Sequence, residues 1–412
     1  MTPQEPPSSG SIIVMLCLLS SIGRYVLDSY LPSMPAIASF FAISADNVQL
    51  TISYYLFGFS ISQLIYGPLS DSFGRKKTLI VGLSIFTVAS MACSFVGENF
   101  TALLFFRLLA GVGAGSCGVL NRAIASDCFK GEKFSKAWSY TTSTLVLTLI
   151  LAPLMGAYVQ EIYNWQANFM ISTAYVALIL LIVIRFLPET HAEKMRCRWN
   201  TVSTIKNYIS IAKTRSFIVP TLCYTLAFSG LIAYFQISPF LFIDGFGLSP
   251  IQYGYTSIVI ACCYLAGGLM VSHLVTRLGP KLMLKLGLFI LSIAGLSLLF
   301  FYSFGFKSLS AVLFSISLYV VGARIVIANA IAEAFAEVRQ QGGTASALIG
   351  CIQMSGAATV SSLVAQFQHP SLLLLGFCLS TLGFSSLFIY YYFSVRPSTT
   401  NHDESEVAEQ IA

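Results

Sequence analysis

Charge is what this chain has least of. Only 10% of its 412 residues are Asp, Glu, Lys or Arg, against about 25% in a soluble globular protein. So few charges cannot clothe a water-facing surface of that length. Metal-type cysteine pairs are also missing. The ten cysteines are scattered, and Cys17, Cys93, Cys117, Cys262, Cys263 and Cys351 fall inside apolar runs. They read as small buried hydrophobes in a reducing setting. His191, His273, His369 and His402 lie near the ends of apolar runs or in tails, so no metal site is expected. No phosphate-cradling glycine loop, nucleophile–base motif or soluble catalytic segment appears. The sequence therefore points away from an enzyme and calls for no cofactor. The net charge of +6 is not gathered on one face, which argues against a nucleic-acid partner. The start, Met1 to Pro7, lacks the basic region of a cleaved signal, so the first apolar run is expected to be retained.

Apolar residues make up 56% of the chain. Runs long enough to span a bilayer fall at about 12–32, 48–66, 78–96, 101–126, 137–159, 166–187, 217–243, 251–275, 282–302, 309–332, 343–365 and 371–394. This predicts an all-α integral membrane protein with twelve transmembrane helices in two six-helix bundles. The longest interruption divides the chain into an N-terminal bundle (1–190), a linker (191–214), a C-terminal bundle (215–396) and a short acidic tail (397–412). Within the linker, 201–213 reads either as an interfacial amphipathic helix or as a solvated connection. Of 23 Lys and Arg residues, Arg24, Arg107, Arg122 and Arg324 sit within runs, four or more residues from either end, and Lys307 falls on one side. The other 18 fall on the opposite side. Short basic loops stay in the cytoplasm, so both termini are expected there, and the lipid bilayer is the expected surrounding.

The densest signal is Gly67-Pro68-Leu69-Ser70-Asp71-Ser72-Phe73-Gly74-Arg75-Lys76-Lys77. It is a tight charged turn between two spanning runs. Its Gly-x-x-x-Asp-x-x-Gly-Arg-Lys spacing resembles the signature loop between helices two and three of the major facilitator superfamily. The wider run from Gln63 to Lys76 is similar to the Bcr/CflA branch, the bicyclomycin and chloramphenicol resistance transporters. Asp28 to Pro35 resembles the end of that group's first helix. Arg107-Leu108-Leu109-Ala110-Gly111 is similar to the fourth-helix arginine motif, with Ala110 where glutamine is usual. Ala152-Pro153-Leu154-Met155-Gly156 resembles a reduced fifth-helix antiporter motif. The segments 227–240 and 343–348 are similar to the group's seventh and eleventh helices. A fainter copy of the basic turn, Ser272 to Lys281, keeps a glycine and a basic ending but has Thr276 where the first has Asp71.

The resemblance implies a bacterial inner-membrane carrier, acting as a monomer, that moves a small molecule by alternating access with protons as coupling ion. It implies that Asp71 meets the start of helix eleven near Gly342 and Gly343, and that Arg75 meets Asp127. With Gly67, Gly74 and Arg122, these form an expected gate that shuts the cytoplasmic side. It gives Arg107 a part in proton transfer; a plain helix–helix hydrogen bond is the alternative.

Read from the residues, Asp28 is the one carboxylate deep in a span. An ionised Asp near the bilayer centre costs roughly 2.5–3.5 kcal/mol. It therefore needs a cation, water or a proton, and is either a proton carrier or half of a structural pair. Arg24 stands at i−4 on the same helix face. Arg24, Asp28, Tyr54, Tyr234 and Arg324 are expected to line the substrate cavity, and Tyr55, Phe57, Phe59, Phe235 and Phe240 are further aromatic candidates. Pro153 and Gly156 can bend helix five. Two functions stay open beside a ligand sensor without flux. One is proton-coupled efflux of small amphiphilic compounds. The other is a carrier, exporter or proton symporter, of an anionic metabolite such as a carboxylate or siderophore, motivated by Arg24 and Arg324.

Overall fold

The computed structural model describes residues 9–191, 201–336, 338, 342–367 and 369–394. The first span is two helices, α1 (Ser9–Asp28) and α2 (Met34–Phe41), joined through a 3-10 turn at Leu31–Ser33. Pro32 and Pro35 cause the break. Each stands in the first turn of the new segment, where the missing N–H costs nothing. The span thus runs on to Phe41 instead of ending near Pro32.

Next come α3 (Ala45–Phe73), α4 (Arg75–Cys93), α5 (Phe100–Cys128), α6 (Gly131–Ile162) and α7 (Trp165–Phe186). The short α8 (Thr201–Lys213) precedes α9 (Arg215–Pro239), which unwinds into a π turn at Phe240–Gly245. Then follow α10 (Pro250–Ser303), α11 (Leu309–Phe335), α12 (Gly342–Val364) and α13 (Leu372–Ser394). Several helix starts carry their own capping residues. Asn99 accepts from Ala102 N at 3.0 Å and Asn164 from Ala167 N at 2.9 Å. Ser249 and Gln252 cap each other reciprocally.

Eleven helical segments among the described residues are long and apolar enough to cross a membrane. One of these, α10, has 54 residues, about 81 Å of rise, far more than the roughly 30 Å of a hydrocarbon core. It bends at Gly279, whose φ of 76° and ψ of 158° are not helical and lie where glycine alone is comfortable. It therefore holds two crossings, and the total is twelve. The bend falls in the second basic turn.

Two bundles result. In the first, α5 packs on both α3 and α4, and α1 on α6. In the second, α10 packs on α11 and α13, and α9 on α11, α12 and α13. The halves meet where α3 lies along α12 and α6 along α10. The linker residues 192–200 and the tail 395–412 lie outside the described residues.

Candidate functional site

Between the halves lies a cavity of about 390 Å³, within the range of small-molecule sites. Its walls come from α1, α3, α5 and α6 on one side and from α9 to α12 on the other. Its lining reaches Arg122, Trp138, Phe335 and Ser346, near the helix ends that carry the basic loops. The opposite end is sealed. There Gln236 Nε2 donates to Gln49 Oε1 at 3.0 Å and to Ser361 O at 2.9 Å. Ser53 and Ser361 share a hydrogen bond of 2.7 Å, and Tyr158 and Tyr255 one of 2.9 Å. The contacts of Gln49 with Gln236, Ser53 with Ser361 and Tyr158 with Tyr255 join one half to the other, and all use neutral groups.

Asp28 sits at the sealed end. It ends α1 and is fully buried. Its carboxylate meets the negative end of that helix, and Arg24 offsets this: Arg24 Nε donates to Asp28 Oδ2. The other oxygen, Oδ1, has no hydrogen-bond partner among the described residues. Arg24 is the member of the pair that lines the cavity, with 17% of its side chain exposed and its guanidinium 4.8 Å from the centre of the Phe235 ring. Asp28 is thus screened from the cavity by its own partner.

The other intramembrane arginines differ. Arg107 is 1% exposed and is enclosed by Tyr30, Tyr55 and Phe169, at 4.5, 4.6 and 5.7 Å from the ring centres. Its Nε donates to Thr51 O at 3.4 Å, and its two terminal nitrogens have no partner among the described residues. Arg122 crosses between the halves. Its Nη1 donates to Ser346 Oγ at 3.2 Å, and its guanidinium lies 4.7 Å from the Phe335 ring and 5.6 Å from Trp138. Arg324 does not face the cavity. It lies over Tyr264 at 5.0 Å, against Gly267 and Gly268.

The aromatic candidates divide by helix face. Tyr55, Phe59 and Phe235 line the cavity. Tyr54 does not: it is 39% exposed on the outer face of the bundle, because adjacent helix positions point about 100° apart. Tyr234 is buried but turns away, its ring 6.3 Å from Phe242, and Phe240 is buried outside the lining. Trp138, Tyr224 and Phe228 line the cavity and were not singled out by sequence. Nor were Gln49 and Gln236, whose signal was an amide inside an apolar run.

The first basic turn is a charged knot. Arg75 Nη1 donates to Asp71 Oδ1 and to Ser70 Oγ, each at 2.5 Å. Arg75 Nε donates to Asp127 Oδ2 at 3.2 Å, and the Arg75 backbone N–H donates to Glu189 Oε1 at 2.8 Å. Thr190 donates to the same Asp127 oxygen at 3.2 Å. Gly74, with φ of 99°, makes the corner. All these partners belong to the first half. Among the described residues Asp71 pairs with Arg75, and the Asp71 side chain is 52% exposed. A side chain at Gly343 would meet nothing within 4 Å. Among the described residues, the start of α12 makes no hydrogen bond to Asp71 in this conformation, in which the cavity reaches toward this end. Gly67 faces α8: a Cβ there would stand 4.0 Å from the Tyr208 hydroxyl. Pro153 lies inside α6 without ending it. Gly156 packs against the break in α1: a Cβ there would stand 1.6 Å from Ser29 O, and Asn168 ties Gly156 O to Ser33 at 3.1 and 2.8 Å.

The family model described as Major Facilitator Superfamily matches residues 13–361. The chain belongs to the Major Facilitator Superfamily. Among its facilitator relatives, a bicyclomycin resistance protein homolog of Haemophilus influenzae is 26% identical over 396 residues, covering 95% of this chain and 98% of the relative. The multidrug resistance protein MdtL of Salmonella typhi is 26% identical over 401 residues, covering 96% and 98%. Among solved facilitator structures, the E. coli xylose transporter XylE in a partially occluded inward open conformation superposes with a TM-score of 0.71 at 13% identity, over 95% of this chain and 99% of that one. The human organic anion transporter MFSD10 superposes with a TM-score of 0.67 at 18% identity, over 94% and 100%. At such identities the two structures speak to the fold alone. The chain is therefore a multi-pass membrane transporter of the facilitator fold with drug-resistance homologues.

Proposed function

We propose that this facilitator is a proton-coupled exporter of small amphiphilic compounds, working as a monomer in a bacterial inner membrane with its basic loops and both termini in the cytoplasm. The carrying observation is one buried carboxylate, Asp28, at the closed end of a cavity that reaches toward the other side. Intramembrane acids in such places carry protons by default, and the unbonded Asp28 Oδ1 supports a proton there. The two halves rock about the shared cavity. With the cavity toward the cytoplasm, substrate enters and the neutral contacts of Gln49, Gln236 and Ser361 hold the outer side. Opening outward breaks those contacts and lets Asp71 approach the start of α12, where a helix N-terminus favours a carboxylate. The knot of Asp71, Arg75 and Asp127 keeps the first half rigid through that motion. Arg107 holds Tyr30 and Tyr55 beside the proton site. The protein moves its substrate and does no chemistry on it.

Bicyclomycin, named in a relative's title, is the first probe. Cells of a sensitive strain expressing the chain should tolerate more of it, and Asp28→Asn should remove that gain. Proton flux measured against substrate flux in proteoliposomes checks the coupling. Opposed movement supports antiport, and unimpaired pH-driven transport by Asp28→Asn would reject Asp28 as carrier. A second reading, co-directional movement of an anion and a proton, is favoured by the Arg24–Asp28 pair itself. An anion taking Arg24 would release Asp28 to accept a proton.

A further inference from the structure

Among the described residues that line the central cavity, two are charged, Arg24 and Arg122, and both are cations. The nearest carboxylate, Asp28, is buried behind Arg24 and contributes nothing to the wall. A third cation backs the same wall: Arg107 lies 4.6 Å from the ring of Tyr55, a lining residue. No acid pairs with Arg107 or Arg122 among the described residues. Apolar walls sharpen the field of such charges.

The two lining arginines share a design. Each guanidinium lies on an aromatic face, Phe235 for Arg24 and Phe335 for Arg122. Each is engaged at one nitrogen only, by Asp28 and by Ser346 respectively. The remaining nitrogens of Arg24 have no acceptor among the described residues, although the side chain lines the cavity. A flat donor fork held against a ring suits a planar oxyanion attached to an apolar body. A cationic substrate would meet Arg24 before it met Asp28.

We infer that the substrate class is an amphiphilic organic anion. Its acid group binds Arg24 at the deep end, its apolar body lies against Phe235, Tyr224 and Phe228, and Arg122 draws it in at the basic mouth. This rests on the reading of the cavity as the transport site. An inside-negative membrane potential drives such an anion outward when it moves without a proton, the direction of the first reading above.

The test uses the full-length protein in detergent and three probes of one shape: 2-naphthoate, 2-naphthamide and 2-naphthylmethylammonium. Titration calorimetry should find naphthoate bound about tenfold or more tighter than either other probe, the effect of one charge-assisted contact. Arg24→Gln and Arg122→Gln should each weaken naphthoate about tenfold while leaving naphthamide within about twofold. Arg122→Gln leaves the Arg24–Asp28 pair intact, so the test does not depend on the Arg24 variant folding. Tighter binding of the amide or the ammonium overturns the inference. So does an equal loss for charged and neutral probes in Arg122→Gln, and so does binding of none of the three. Transport of the neutral or cationic probe with naphthoate refused overturns the anion assignment and leaves the carrier reading standing. Absence of any pH-driven flux, with naphthoate still bound, strikes the carrier reading instead.

Discussion

The two halves share a shape and divide the labour. Among the described residues the first holds every ion pair: Arg24 with Asp28, and Arg75 with Asp71 and Asp127. It also holds Arg107 in its cage of rings. In the second half the matching turn bends at Gly279 as the first does at Gly74, yet Thr276 and Pro280 stand there in place of Asp71 and Arg75. Lys281 and Lys285 act on Glu333 only at a distance. What the second half offers is neutral: Gln236 and Ser361 to the seal, and Ser346, Tyr224, Phe228 and Phe235 to the shared cavity. Similar backbones therefore do not imply similar chemistry. The charge switch is built on one side and the surface it works against on the other.

Packing gives the sharpest way to test that division. Gly156 in α6 and Gly356 in α12 occupy corresponding helices, the fifth and eleventh crossings. A Cβ at Gly156 would meet backbone, Ser29 O at 1.6 Å, whereas at Gly356 it would meet a methyl group, Thr225 Cγ2 at 2.2 Å. Gly156→Ala should cost about 3 kcal/mol or more and leave little folded protein, and Gly356→Ala about 1 kcal/mol; size exclusion and thermal unfolding in detergent would show it. Next in size is the charge contrast. Asp28→Asn should lower pH-driven transport on the order of 100-fold, while Glu333→Gln in the second half leaves it within about twofold, because only Asp28 is wholly removed from water. Comparable losses would erase the contrast. Smaller again, Arg75→Ala should lower stability by about 2 kcal/mol, since it strands two partly exposed acids, while exposed Lys281→Ala stays within about 0.5 kcal/mol. Smallest, Gln236→Leu should weaken the outer seal by about 1 kcal/mol, read as faster hydrogen exchange at the outer ends of α9 and α12.

Much of the architecture is legible from composition and run length, because lipid forces backbone groups to pair within helices. The twelve crossings follow from that, including the pair merged in α10. The break after Asp28 is harder to read. Pro32 and Pro35 mark an end as readily as a restart, and only packing of Gly156 and Asn168 against Ser29 and Ser33 holds the second piece in line. At the site, the i, i+4 spacing of Arg24 and Asp28 suffices to put them on one face, and the pair is formed. Which of Tyr54 and Tyr55, or Tyr234 and Phe235, turns to the cavity is not legible, since a helix hydrophobic all round has no marked face. The direction in which the cavity opens belongs to a conformation, and one sequence encodes several.

The outer seal has one more consequence. In the proposed orientation it faces outward, where amides, hydroxyls and phenols keep their protonation across neutral and acidic media, and salt has no charge there to screen. Its strength is therefore a constant, blind to the weather beyond the membrane. In the proposed cycle, timing then falls to Asp28, the carboxylate buried beneath it.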